Sequence, residues 1–380
     1  MHLQFAVPCT LAFALGAALS AQEEAPATGW RPLPRLEVGG WVQTGYTSQP
    51  TAFNDTAQDR RVLLNQAWGY LEKQLAGDGE WDWGARVDVV YGADGANTDA
   101  FGNPHQSFDL GRGFSRGAQA AWAIPQLYAE VGDGTWDVKV GHFFTLHGYE
   151  VVQAPGNFFY THAYTMNYAE PFTHTGVLGS HTAADGTTIY AGWTAGFDTG
   201  FAQASHGSNF LGGYGRKVGE NVTVTQILSF GDFGQNFAPP IVAPNGALNE
   251  GSSFAVSTVI DCQLSEHVHY VLHNDVLRTG VYDATAIDHY LFWQLDAKLT
   301  AGARFEWWKS DGRSVYAATV GLNVRPHERV TIRPEYRYDW SPSGNTNAGI
   351  QRDLADDGTI NGSVLRQRQS TFAIDVVIVF

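Results

Sequence analysis

The stretch STFAIDVVIVF, residues 370–380, alternates in the manner of a β-strand and ends on an aromatic residue. Successive side chains of a strand point to opposite faces of the sheet, so every second residue shares a face. One face includes Asp375 and therefore tolerates a carboxylate. The other face is apolar throughout and carries Phe372, Ile374, Val376, Ile378 and Phe380. This pattern fits the last strand of a soluble β-sandwich as well as a strand of a membrane barrel, so the rest of the sequence must decide.

Alternating segments with one charged face recur along the chain. Examples are WDWGARVDVVY, residues 81–91, and RVTIRPEYRYDW, residues 329–340. A barrel of about 16 strands encloses an aqueous interior, where charged side chains sort permeating ions and polar solutes. The charges predicted to line this interior are Arg86, Asp88, Lys139, Asp296, Lys298, Arg304, Glu306, Arg333, Glu335 and Arg337.

The spacing of turns predicts about 16 strands between residues 35 and 380, with 14 or 18 as alternatives. The twelfth and thirteenth strands are predicted over 286–298 and 302–310. Most predicted strands have ten or more residues, the length needed to cross a bilayer when tilted. Short turns alternate with connections that include four long loops, at 94–120, 146–171, 232–250 and 341–366. The predicted fold is therefore all-β, a transmembrane antiparallel up-and-down barrel with short periplasmic turns and long extracellular loops.

The N-terminal region has the features of an export signal. Residues 5–21 form a short apolar segment that ends in small residues, which predicts a secretory signal peptide over 1–21. Residues 22–34 are then a short periplasmic segment, and 35–380 form the barrel domain. Cys9 leaves with the signal, so Cys262 remains without an intramolecular disulfide partner. After residue 21 no apolar run is long enough for a membrane-spanning helix.

Composition excludes one class of partner and favours strands. The formal net charge is −15, whereas a nucleic-acid-binding protein needs a basic face to neutralise phosphates. The chain has 12 Trp, 16 Tyr, 22 Phe and 43 Gly, a mixture that favours strands and turns. No nucleic-acid partner is predicted.

Neither a metal site nor a catalytic site is predicted, and no cofactor. His269, His273 and Asp275 would share one face of a strand, but residues four apart on a strand are about 13 Å apart, too far to share one zinc ion. No G-x-S-x-G nucleophile motif occurs. Two other classes remain open: an outer-membrane barrel hydrolase that uses wall residues, and a secreted soluble β-sandwich that binds carbohydrate through exposed aromatic rings.

A resemblance to a known family lies within residues 125–180. The runs VKVGHFFTLHGYE, PGNFFYTHAYTMNY and EPFTHTGVL resemble the OmpL-like β-barrel porin family, with His142 where that family would carry a basic residue. The resemblance implies a porin of the bacterial outer membrane that passes small polar solutes or ions by passive diffusion. It brings no catalytic or ligand-binding residues with it.

The loop over residues 146–171 joins the fifth and sixth predicted strands, the position of the infolded constriction loop in general porins. It is expected to narrow the pore, with packing on the outer rim as the alternative. The residues predicted to form the constriction are Gly156, Asn157, Phe158, Phe159, Tyr160, His162 and Tyr164.

The strand that ends at Phe380 is expected to close the barrel by pairing with the first strand. Its apolar row resembles the C-terminal signal that the outer-membrane assembly machinery recognises. The expected partners are therefore outer-membrane lipid, that machinery and small polar solutes, together with two further copies of the chain in a homotrimer.

Overall fold

The barrel strands follow one another in space as they do in sequence. The computed structural model describes residues 35–49, 61–98, 120–201, 206–234, 251–280, 283–310, 312–342 and 368–380. Its strands are β1 (Leu36–Thr47), β2 (Val62–Lys73), β3 (Asp82–Gly92), β4 (Ala121–Gly132), β5 (Trp136–Phe144), β6 (Thr173–Thr182), β7 (Thr188–Thr194), β8 (Ser208–Val218), β9 (Val222–Asp232), β10 (Ser253–Gln263), β11 (Val268–Arg278), β12 (Asp283–Gln294), β13 (Leu299–Ser310), β14 (Arg313–His327), β15 (Val330–Trp340) and β16 (Arg368–Val379). Neighbouring strands pair antiparallel, and β16 also pairs with β1. The predicted closed antiparallel barrel of 16 strands is confirmed.

Helical structure within the described residues is confined to short pieces. These are α1 (Gly95–Thr98), α2 (Tyr164–Tyr168) and a 3₁₀ turn at Ala154–Gly156. None of these helices has the length and apolar character needed to cross a membrane. Two of the three lie in the connection between β5 and β6.

The outer surface of the barrel carries the apolar rows of the alternating strands. On β16, Phe372 and Ile378 are about half exposed, at 48% and 45%, whereas Thr371 and Asp375 between them are buried. The same alternation holds on β15, where Tyr336 faces outward and Arg337 inward. In a soluble protein the apolar rows would be buried, so the reversed arrangement is that of a barrel surrounded by lipid.

Closure of the barrel depends on a close approach between its two terminal strands. The backbone N–H of Phe380 donates to the carbonyl of Gly40 at 2.9 Å, and the N–H of Gly40 donates back at 3.2 Å. A Cβ at position 40 would collide with the carbonyl of Trp68 and lie 3.1 Å from the Phe380 ring. Glycine at this position therefore lets the terminal aromatic ring lie against β1.

The two rims differ in the length of their connections. One rim has the short turns, such as 133–135, 219–221 and 264–267, and the other has the longer connections between β3 and β4, β5 and β6, β9 and β10, and β15 and β16. The predicted bounds of β12 and β13 were wrong, because the turn lies at 295–298 rather than at 299–301. The N–H of Lys298 donates to the Asp296 carboxylate at 2.7 Å, which fixes this turn.

A charge placed on the outer surface tests the direction in which the rows face. Val320 lies in the middle of β14, with its side chain 55% exposed. We expect Val320→Arg to lower the free energy of unfolding in lipid vesicles by about 2–4 kcal/mol, because a cation near the bilayer midplane loses its hydration. Urea unfolding of the vesicle-bound protein measures this value, with Val320→Leu as the control. An unchanged midpoint for the arginine variant would contradict a lipid-facing row.

Candidate pore constriction

The connection between β5 and β6, residues 145–172, lies inside the barrel and is here called the infolded segment. It contacts strands on opposite sides of the wall. The Tyr160 hydroxyl donates to Asn65 on β2 at 2.9 Å, and the backbone N–H of Gly148 donates to Ser257 on β10 at 3.0 Å. The infolded segment therefore crosses the lumen from one side to the other.

Two wall glutamates hold the backbone amides of the infolded segment. Glu335 on β15 accepts hydrogen bonds from the N–H groups of Tyr160 and Thr161, at 2.8 and 3.2 Å. Glu306 on β13 accepts from the N–H groups of Tyr164 and Thr165, at 3.0 and 2.7 Å, where α2 begins. Each glutamate also accepts the hydroxyl of the threonine in its pair. Hydrogen bonds to a charged acceptor are the stronger kind, so both contacts fix the segment firmly.

Three wall arginines hold its carbonyl groups. Arg304 donates to the carbonyl of Thr161 at 2.7 Å, and Arg337 donates to that of His162 at 2.6 Å. Arg333 donates from one nitrogen to the carbonyls of Ala154 and Asn157. The arginines and glutamates thus bind the main chain of the infolded segment from both its donor and its acceptor groups. This explains how charged residues on β13 and β15 are satisfied although they are almost wholly buried.

Each of these arginines also has a carboxylate partner. Arg304 pairs with Glu150 of the infolded segment, Arg333 with Asp375 on β16, and Arg337 with Asp339 at 2.8 Å. Burial raises the pKa of Glu150, but Arg304 and His162 outweigh it and hold that pKa below its ordinary value. Glu150 is therefore ionised when it pairs with Arg304. Removing one member of such a buried pair leaves an uncompensated charge, at a cost of about 3–5 kcal/mol.

Wall glycines make room for the aromatic residues of the infolded segment. A Cβ at Gly45 on β1 would overlap the ring of Tyr160, and one at Gly302 on β13 would overlap the ring of Phe158. Phe158 also packs against Phe292 on β12, with ring centroids 4.7 Å apart. Close packing between wall and segment therefore depends on two residues that have no side chain.

The structure places the residues predicted for the constriction inside the barrel, in two groups. Phe159, Tyr160, His162 and Tyr164 are buried against the wall, whereas Gly156, Asn157 and Phe158 remain partly exposed. The second group borders the space that the infolded segment leaves open. Whether these residues set the size of the passage is taken up below.

The predicted lumen charges separate into three groups. Arg304, Glu306, Arg333, Glu335 and Arg337 contact the infolded segment, as described above. Arg86 and Asp88 pair with each other on the inner face of β3, and Lys139 lies 4.0 Å above the ring of Tyr128 on the same inner surface. Asp296 and Lys298 do not line the lumen, because the turn between β12 and β13 starts earlier than predicted and exposes both at the rim.

Several contact residues carried no clear sequence signal. Gln66 on β2 donates to the carbonyl of Val152 at 2.7 Å and accepts from the N–H of Ala154, yet an amide on a strand is unremarkable. Glu150 lies in a loop with no periodic pattern. Asp375 did carry a signal, since it is the one acid in the strand over 370–380 and its register partner on β15 is Arg333.

Comparison with known proteins gives the family. The model described as "Putative beta-barrel porin-2, OmpL-like" matches residues 35–380, the whole of the barrel. The chain belongs to this OmpL-like porin family. The resemblance seen in residues 125–180 is thereby confirmed, and so is the role of a channel that it implied.

Solved porins share the fold of this OmpL-like porin at low sequence identity. The anion-selective porin from Comamonas acidovorans has a TM-score of 0.58 at 10% identity, with 91% of this chain and 99% of that chain covered. OmpF of Salmonella typhi, in complex with daunomycin, has a TM-score of 0.59 at 11% identity, covering 91% and 97%. The outer membrane channel DcaP of Acinetobacter baumannii scores 0.57 at 10% identity, covering 93% and 99%. No curated protein matches the chain.

Proposed function

We propose that this porin lies in the bacterial outer membrane and lets small polar solutes and ions diffuse through a passage narrowed by the infolded segment. The observation that carries the proposal is the anchoring of that segment across the lumen by charged residues of β13 and β15. A segment held on both sides cannot move aside easily, so it sets the size of what passes. Export by the signal peptide over residues 1–21 belongs to the same proposal.

The passage runs along the side of the infolded segment that remains in contact with solvent. Tyr149, Val151, Asn157, Phe158 and Tyr168 are partly exposed, although their neighbours in the segment are buried. The opposing wall carries Tyr128 on β4 and the Lys139 side chain above it. Aromatic rings with a few polar groups suit small solutes, and the narrow space excludes large ones.

The fixed charge around the passage favours cations. Each buried wall arginine is already neutralised by a carboxylate, so the arginines add no net positive field. Among the partly exposed groups on the inner face, Glu72, Glu130 and Asp261 face Lys139, whose side chain is 25% exposed. The whole chain has a formal net charge of −15. Rings of acidic side chains select cations in other channels.

Recording in a planar bilayer with a potassium chloride gradient tests this proposal. We expect an ohmic current whose zero-current potential shows that potassium is several-fold more permeant than chloride. The control is the same recording at 1 M salt, where the Debye length falls to about 3 Å and the preference should weaken. A folded barrel without current would contradict the channel, whereas a current that prefers chloride would contradict only the charge argument.

Assembly is a separate part of the proposal. The outward row Phe372, Ile374, Val376, Ile378 and Phe380 is proposed as the signal that the outer-membrane assembly machinery reads. A homotrimer is proposed because OmpT of Vibrio cholerae, which has the same fold at 11% identity, is described in a trimer form. Chemical cross-linking of the membrane-inserted protein tests the trimer.

A further inference from the structure

A buried acidic cluster lies where the infolded segment meets β11. Glu170 comes from the end of the segment, and His273 and Asp275 come from the strand. Nε2 of His273 lies 2.9 Å from Oδ1 of Asp275 and 3.4 Å from Oε1 of Glu170. The ligand atoms of the three residues all lie within 4.8 Å of one another, and all three side chains are buried. The fold thus brings Glu170 to a pair that is adjacent on one strand face.

The cluster holds more negative charge than its neighbours offset. Within the described chain, His273 is the one basic side chain within 4.0 Å of the carboxylates of Glu170, Asp275 and Asp288. Oε1 of Glu170, Oδ2 of Asp275 and both oxygens of Asp288 accept no hydrogen bond from a described residue. Buried carboxylates without partners are costly, and such orphaned oxygens call for a cation.

The distances fit a tetrahedral metal ion. Zinc binds histidine nitrogen and carboxylate oxygen at about 2.0–2.2 Å, which places tetrahedral ligand atoms about 3.3 Å apart. The 2.9 and 3.4 Å separations around Nε2 bracket that spacing. Calcium and magnesium prefer sets made of oxygen alone, so an imidazole beside two carboxylates favours a first-row transition ion.

Asp288 on β12 occupies the supporting position of such a site. Its Oδ2 lies 3.2 Å from Nδ1 of His273, on the side of the ring that faces away from Glu170 and Asp275. A metal-binding histidine usually presents its second nitrogen to a carboxylate, which fixes the tautomer and turns the other nitrogen toward the metal. Asp288 lies where it would give His273 this orientation.

Local backbone geometry permits the close approach of Glu170. Gly148 has a positive φ of 89°, and a Cβ at this position would overlap the Glu170 carboxylate. The N–H of Gly148 also donates to Ser257, whose hydroxyl lies 3.2 Å from Nε2 of His273. Glu170 borders an enclosed space of about 370 Å³ within the infolded segment, which offers an ion a route to the cluster.

We propose that Glu170, His273 and Asp275 bind one zinc-like divalent transition ion, which fastens the infolded segment to β11. The inference goes beyond solute passage, because the ion fixes the constriction and is not transported. With three protein ligands, the fourth position is left to water or to Ser257.

Two other occupants of the cluster are outcomes of the test. One is a proton, since burial and the charge of Asp275 raise the pKa of Glu170. The other is a Ser257–His273–Asp288 triad of a hydrolase. In that triad Nε2 would have to activate the serine while Asp275 and Glu170 crowd the same nitrogen, and the orphaned carboxylate oxygens would stay unexplained. The metal accounts for all of them.

Isothermal titration of the EDTA-stripped, detergent-solubilised full barrel with zinc chloride tests the proposal. We expect one zinc ion per chain, with binding lost in Glu170→Gln and His273→Gln and weakened about 10–100-fold in Asp288→Asn. His269→Gln is the matched control, because His269 lies on the same strand, pairs with Asp261 at 2.8 Å and is not a proposed ligand. X-ray absorption of the loaded protein should show one nitrogen among oxygen ligands.

Three results would overturn the metal site. The folded wild-type barrel could take up no zinc, manganese or cobalt ion, which would leave the shared proton. The Glu170→Gln and His273→Gln variants could bind zinc as the wild type does. Labelling of Ser257 by a fluorophosphonate probe would assign the cluster to the hydrolase instead. Heat-modifiable migration of each variant shows that it has folded, so that lost binding is not confused with a lost barrel.

Discussion

Replacing both Glu306 and Glu335 with alanine is expected to raise the single-channel conductance several-fold. The two glutamates accept the N–H groups of Tyr160, Thr161, Tyr164 and Thr165, so their loss frees four amides of the infolded segment. A segment released from β13 and β15 no longer narrows the passage. Planar-bilayer recording measures the change.

The control for this double variant removes the same charge elsewhere. Glu220 and Glu266 lie exposed in turns at the opposite rim, so Glu220→Ala with Glu266→Ala should leave the conductance close to that of the wild type. Heat-modifiable migration shows that each barrel is folded. A Glu306→Ala, Glu335→Ala variant that is folded but conducts as the wild type does would show that the infolded segment is held by other contacts.

Replacing Arg304 with alanine is expected to lower the free energy of unfolding by about 3–5 kcal/mol, because Glu150 is then left buried without its partner. Arg304 is fully buried, and it also donates to the carbonyl of Thr161 and lies 5.1 Å from the ring of Phe159. Urea unfolding in detergent measures the loss.

Arg216 provides the matched control, since its guanidinium pairs with Asp185 at 4.0 Å and both side chains are 59% exposed. Exposed ion pairs contribute about 0–1 kcal/mol, so Arg216→Ala should change stability little. Equal losses for the two variants would mean that the buried pair does not hold the segment. A further replacement of Glu150 with glutamine in the Arg304→Ala background should recover part of the loss.

Most of the barrel could be predicted because strand alternation is a local pattern with a large energetic cause. On β16 and β15 every apolar residue of one row faces outward, and a shift by one residue would put Asp375 or Arg333 in lipid. The turn between β12 and β13 was misplaced because Leu295 extends the apolar run into it. An aspartate that caps its own turn was the signal that should have ended the strand.

The site could be predicted only in part, because its contacts join residues far apart in the chain. Alternation placed Arg304, Glu306, Arg333, Glu335 and Arg337 on the inner face, but it could not show that their partners are backbone groups of residues 154–165. Such partners carry no residue type to recognise. The Glu170–His273–Asp275 cluster was missed for a related reason. The sequence argument considered ligands on one strand, whereas the third ligand comes from the infolded segment.

The central claim is that the infolded segment, anchored by wall charges, sets the width of an aqueous passage. Single-channel recording with polyethylene glycols of increasing size tests it most directly, because a polymer that enters the passage lowers the conductance. We expect the wild type to exclude all but the smallest polymers and the Glu306→Ala, Glu335→Ala variant to admit larger ones. An identical size limit for the two folded proteins, or no current through the wild type, would contradict the account.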